Sequence, residues 1–186
     1  MFIHEHHPWC ADVARAKEVG ECISLFVDKQ PDLNQHFLLR MAGSTGELVT
    51  KFPDAQANFY RLSRTEKNQL HFLLGYPVFF LYFLRQATGE DKYIQTAEKI
   101  LSFVLKCDES MYTFFLSHKA AFGAGLVSKA TGKVDYKDLC QRIVSHLLTL
   151  QTSEGDFVKD LPLLARLDQS AEIAVWLREL ANHLCL

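Results

Sequence analysis

The chain carries one unit twice. Residues 81–105, LYFLRQATGEDKYIQTAEKILSFVL, return in altered form 43 residues later: Ala87-Thr88-Gly89 recurs as Ala130-Thr131-Gly132, Tyr93 as Tyr136, Ala97 as Cys140, Ile100 as Ile143, Leu101 as Val144 and Leu105 as Leu148. Each copy reads as a helix stopped by glycine, a short turn, and a second helix with one apolar stripe (Tyr93, Ala97, Ile100, Leu101, Val104). The first helix of the unit, VFFLYFL over 78–84, is apolar all round and suits a position covered on every side. The unit is therefore an inner helix followed by an outer one, and units of this length bury their apolar faces only against neighbours.

Weaker copies flank the pair. FLYFLRQA (80–87) lies over IAVWLREL (173–180), giving a third inner helix, and AEKILSFVLK (97–106) lies over GECISLFVDK (20–29), giving a first outer one. The expected class is mainly all-α: an α/α-hairpin repeat of about six to seven helices in a single domain, residues 1–186, with a polar terminus over 1–8. The first helix should open at Pro8 or Trp9 and stop before Pro31. Gly43-Ser44-Thr45-Gly46 predicts a β-hairpin, 37–41 against 47–52, with 58–62 as a short third strand. A helix capped by Ser63 or Thr65 should carry Gln69 and His71 and break at Gly75-Tyr76-Pro77. The last helix is expected over 168–183.

Composition excludes several classes. A net charge near −2, with scattered lysines and arginines, gives no electrostatic case for nucleic acid or an anionic membrane. The longest apolar run, 70–84, is interrupted by His71 and Pro77 and falls short of the roughly 20 residues of a membrane span. The five cysteines form no C-x-x-C, and MFIHEHHPWC lacks the pattern of a signal peptide, so a reducing cytoplasmic setting is expected. His4, Glu5, His6 and His7 are not spaced as H-E-x-x-H, and no metal or other cofactor is predicted. Phosphate-loop, dinucleotide and nucleophile-elbow motifs are absent.

The repeat points to a site. Gly75-Tyr76 shifts onto His118-Lys119 and onto Asp168-Gln169, placing three pairs at one height near the N-terminal ends of three inner helices, where free N–H groups and helix dipoles favour anions. Glu172, aligned with Phe79 and Phe122, sets a carboxylate in an aromatic wall of Tyr76, Phe79, Phe80, Phe83, Phe122 and Trp176. Read as chemistry, Asp168 or Glu172 is the acid, His118 the base and Lys119 an electrostatic stabiliser. Gln69, Tyr76, Gln169 and Trp176 would then hold a small-molecule substrate. Read as architecture, Asp168 caps its helix, Glu172 and Lys119 form an ion pair, and His118 is a satisfied core histidine.

The inner/outer order, the Ala87–Tyr93 hairpin and Leu150-Gln151-Thr152-Ser153-Glu154-Gly155-Asp156-Phe157 together resemble the α/α-toroid proteins: terpenoid cyclases, protein prenyltransferases and six-hairpin sugar-active enzymes of the N-acylglucosamine 2-epimerase type. The D-x-D-D acid motif and the zinc set of those enzymes have no counterpart, and the helix count is about half a toroid's. The resemblance implies an arc that a second copy, as a homo-oligomer, or the rest of a longer protein would close. It also implies an isomerase or cyclase working by proton transfer. A non-catalytic helical-repeat binding module is the competing expectation.

Overall fold

A computed structural model of the protein describes residues 12–184; the terminus carrying His4 to His7, and the expected helix start at Pro8 or Trp9, lie outside them. The described chain is mainly helical. Helix α1 spans Val13–Asp28 and is capped by Asp12, whose side chain accepts a hydrogen bond from the Arg15 amide. Helices α2 (Gly75–Thr88) and α3 (Lys92–Val104) form the first hairpin, and a single turn, α4 (Ser110–Thr113), follows. Helices α5 (His118–Thr131) and α6 (Val134–Leu150) form the second hairpin, and α7 (Leu163–Leu184) ends the described chain.

The two hairpins reproduce each other at the turn. Gly89 and Gly132 close α2 and α5 in the left-handed region, both at φ 73°, where a Cβ is strained, and the outer helix begins within a few residues. Helix α5 is buried from His118 through Val127 without a break, enclosed by α2, α6 and α7. Its small residues allow this. A Cβ on Gly123 would meet Val78, and one on Gly75 would strike the Lys119 backbone, so α2 and α5 approach almost backbone to backbone.

The inner helices run parallel. Contacts between α2 and α5 ascend together, Gly75 at Lys119 and Val78 at Gly123. Those between α5 and α7 do the same, from Lys119 at Glu172 through Phe122 at Trp176 to Gly125 at Leu180.

Three expectations are corrected. The β ladder pairs β1 (His36–Leu38) with β2 (Arg61–Ser63), antiparallel with Phe37 opposite Leu62, while the expected partner 47–52 contributes an isolated bridge, Met41 to Leu48. Burial decided the pairing: Phe37 and Leu62 are 1% and 0% exposed, whereas the glycine turn lies at the surface. No α-helix starts at Ser63 or Thr65. Gln69 instead accepts from the Ser63 amide and donates to Asn58 and Glu66, holding that stretch irregular until a 3-10 turn, His71–Leu74, leads into α2. The restart expected at Gly75-Tyr76-Pro77 is where α2 begins, with Pro77 in its first turn, where a missing N–H costs nothing. Lastly, α7 begins at Leu163, just after Pro162, so Asp168 lies within the helix and caps nothing.

Candidate functional site

The convergence centres on Lys119. Its Nζ stands 2.8 Å from Oε1 of Glu172 on α7 and 3.1 Å from Nε2 of His118, and its charge lies 5.2 Å and 5.7 Å from the ring centroids of Phe72 and Tyr76. His118 Nδ1 is 2.8 Å from the carbonyl oxygen of Phe115. That carbonyl only accepts, so Nδ1 carries the hydrogen and Nε2 is the bare nitrogen accepting from Lys119. Burial, with the neighbouring Lys119 charge, holds the His118 pKa below the ordinary histidine value, and the ring is neutral at pH 7. Glu172 Oε1, at 3.8 Å from His118 Nε2, therefore faces a neutral imidazole.

Exposure divides the trio. His118 and Lys119 are 0% and 2% exposed, while the Glu172 side chain is 31% exposed. Burial pushes the Glu172 pKa up, but hydrogen bonding and charge from Lys119, with the Trp176 indole, outweigh it and leave the group below the usual carboxylate value. Glu172 is the ionised rim of the cluster. Beside it the aromatic wall is continuous: Trp176 lies 4.9 Å from Phe122 and 5.2 Å from Phe79, and Phe79 lies 5.8 Å from Tyr76, which is 41% exposed.

Of the expected site residues, His118, Lys119, Glu172, Tyr76 and Trp176 come together. Asp168 does not. The register between α5 and α7 is one turn further along than the repeat alignment suggests, so Glu172 occupies the place expected of Asp168, and Asp168 is exposed and bonded by Gln169 Nε2 at 2.9 Å. Gln169 Oε1 is buried with no hydrogen-bond partner among the described residues, and Gln69 belongs to the β2 bracket described above. Phe72 and the Phe115 carbonyl were not anticipated. The first is set by the 3-10 turn, and the second is a backbone group three residues before His118, which no side-chain pattern reveals.

Two cavities lie elsewhere. One of about 470 Å³ is walled by apolar residues of α1 and β1 together with Leu73, Leu74 and Ile100, and one of about 560 Å³ by Tyr112, Arg142, His146 and their neighbours on α4 and α6. Neither is lined by a member of the trio. No cluster of three metal-ligating side chains occurs among the described residues, and no helix among them is long and apolar enough to cross a membrane. No protein-family model, no curated protein and no solved structure matches this chain.

Proposed function

We propose that the chain is an α/α-hairpin binding module, an arc of the toroid type, whose ligand face is the aromatic wall with Glu172 at its rim. The ligand class is a small, largely apolar organic molecule bearing a cationic or strongly hydrogen-bond-donating group. Glu172 anchors that group, and Tyr76 and Trp176 cover the apolar part. One observation carries this reading. Two of the three converging polar groups, His118 and Lys119, are sealed from solvent and satisfied by each other, by Glu172 and by the Phe115 carbonyl, leaving a single accessible ionised carboxylate. One anchor without an accessible acid partner suits binding better than turnover.

Replacing Trp9 with Phe leaves Trp176 as the only tryptophan, a reporter within the proposed face. Hexyltrimethylammonium should change its fluorescence saturably, and Glu172→Gln, checked to be folded by its melt, should weaken that response at least about tenfold. Hexanol should respond equally in both proteins. A parent protein indifferent to the ammonium probe removes the proposal.

The 3.8 Å separation of His118 Nε2 and Glu172 Oε1 supports a second reading, an isomerase or cyclase in which Glu172 moves a proton at a substrate carbon and the buried pair tunes its basicity. It differs in one observable. The parent would catalyse deuterium incorporation from solvent into an enolisable substrate, and Glu172→Gln would not.

A further inference from the structure

The outward face of α7 carries a heptad seam that no other described residue covers. Leu164, Leu167, Ala171, Ala174, Arg178 and Ala181 follow one another at alternating steps of three and four residues, and every one is exposed. Leu164 is 82% exposed and Leu167 55%, with Val175, 48% exposed, widening the strip. The opposite face, through Ser170, Ile173 and Leu180, is the one packed on the domain. A three-four spacing of apolar residues, broken here at Arg178 alone, is the pattern by which one helix seats against another, and a surface helix needs no such stripe on its solvent side.

We infer that this seam pairs two copies of the chain through an antiparallel, two-fold contact between their α7 helices. One register of the seam also pairs opposite charges. When Ala171 is set against Ala174 of the second copy, Leu164 falls opposite Ala181 and Leu167 opposite Arg178, and symmetry repeats each layer. Leucine then meets alanine in the outermost layers, the aliphatic stem of Arg178 covers Leu167 in the next, and the alanines at the crossing let the backbones approach closely. Charge agrees with the packing. Laid along Leu167, the stem of Arg178 carries its guanidinium to Asp168 of the second copy, and this pair forms twice across the axis. In the single chain both side chains are exposed, and among the described residues Arg178 pairs with its neighbour Glu179 alone. A parallel pairing would set Arg178 against Arg178. One helix face buries an area at the low end of specific interfaces, so the association is reversible.

Sedimentation equilibrium of the full chain from about 1 μM to about 1 mM should show a monomer–dimer equilibrium. Leu167→Glu, at a position already open to solvent, should abolish the dimer while melting as the parent does at low concentration. Asp168→Arg should shift dissociation at least about tenfold toward monomer, and Asp168→Arg with Arg178→Asp should restore it. With Cys10, Cys22 and Cys185 changed to Ser, Ala171→Cys mixed with Ala174→Cys should oxidise to a mixed dimer faster than either alone. The inference is overturned by a monomer throughout the range, which is also what a different protein as the natural occupant would produce. It is equally overturned by a dimer indifferent to Leu167→Glu, by failure of the charge swap, or by faster self-linking of either cysteine variant.

Discussion

The α-carbon of Gly75 rests against the backbone of Lys119, with no room between them for a methyl group. Gly75→Ala must separate the first turns of α2 and α5, and the obstacle is main chain that cannot rotate away. The roughly 1 kcal/mol that Ala gains in helix propensity is outweighed by overpacking of about 1–3 kcal/mol. Gly123→Ala meets mainly the Val78 side chain, at 2.7 Å from Cγ1, which a rotamer change partly relieves. Urea denaturation should therefore rank the wild type first, Gly123→Ala second and Gly75→Ala last. The reverse order of the two variants would mean that the helices do not meet at Gly75.

Lys119 and Glu172 tie α5 to α7, and the partly exposed carboxylate makes the pair weaker than a fully buried one. Lys119→Met leaves Glu172 facing a neutral histidine and should cost about 2 kcal/mol. Glu172→Gln keeps an acceptor for Lys119 but strands its charge in an almost fully buried site. Combining Lys119→Met with Glu172→Leu should recover much of the loss, because two apolar side chains leave nothing unpaired. A double-mutant cycle in urea measures this, and strict additivity would show the pair to be uncoupled.

Parts of this arrangement were legible in the sequence because the repeat preserves position. Ala-Thr-Gly at two places, with a tyrosine at a fixed distance beyond each, fixed both hairpin turns and the faces of α3 and α6. The same offset brought His118 and Lys119 beside the start of α2. It failed at α7, where the long loop through Gly155 let the helix start at Leu163 and slide one turn, exchanging the roles of Asp168 and Glu172. The turn signal at Gly43-Ser44-Thr45-Gly46 was real, since Ala42 N–H donates to Glu47 and Val49 N–H to Arg40 across it, but the ladder proper forms with 61–63, overlapping the expected third strand, because Phe37 and Leu62 are buried facing each other in the core. Gln69 looked like a ligand group and is a bracket. A buried amide serving the Ser63 backbone cannot be told from one serving a substrate without the contacts around it.

Thiol reactivity should separate the cysteines of the described chain. Cys107 and Cys140 are buried, and burial pushes their pKa values up to about 12 and about 11. Neither presents a thiolate at neutral pH, and reagent cannot reach them. Cys22 is exposed on α1. In native protein at pH 8, a disulfide reagent followed by peptide mapping should modify Cys22 within minutes and leave Cys107 and Cys140 until the chain unfolds. Early modification of Cys140 would mean that α6 opens locally without global unfolding.

His71 sets the acid limit of the fold. It is 1% exposed, neither ring nitrogen has a hydrogen-bond partner among the described residues, and burial lowers its pKa from 6.5 to about 4 against the opposing pull of Asp108. A histidine depressed in the folded state costs nothing while it is neutral in both states, so above about pH 6.5 the term vanishes. Below that value the unfolded chain takes up a proton that the folded one refuses, and stability falls until about pH 4, by about 3 kcal/mol from this residue. His118, depressed in the same direction, adds to the slope, whereas the Glu172 contribution is present above its unfolded value of 4.5 and is lost only as pH falls through its lower folded value. The two windows are therefore distinct. His71→Leu removes the titrating ring and two unpaired polar atoms, so it should match or exceed the parent at pH 7 and flatten the decline between pH 6.5 and 4. Urea midpoints measured across that range decide it: a slope unchanged by His71→Leu would place the acid sensitivity in another group.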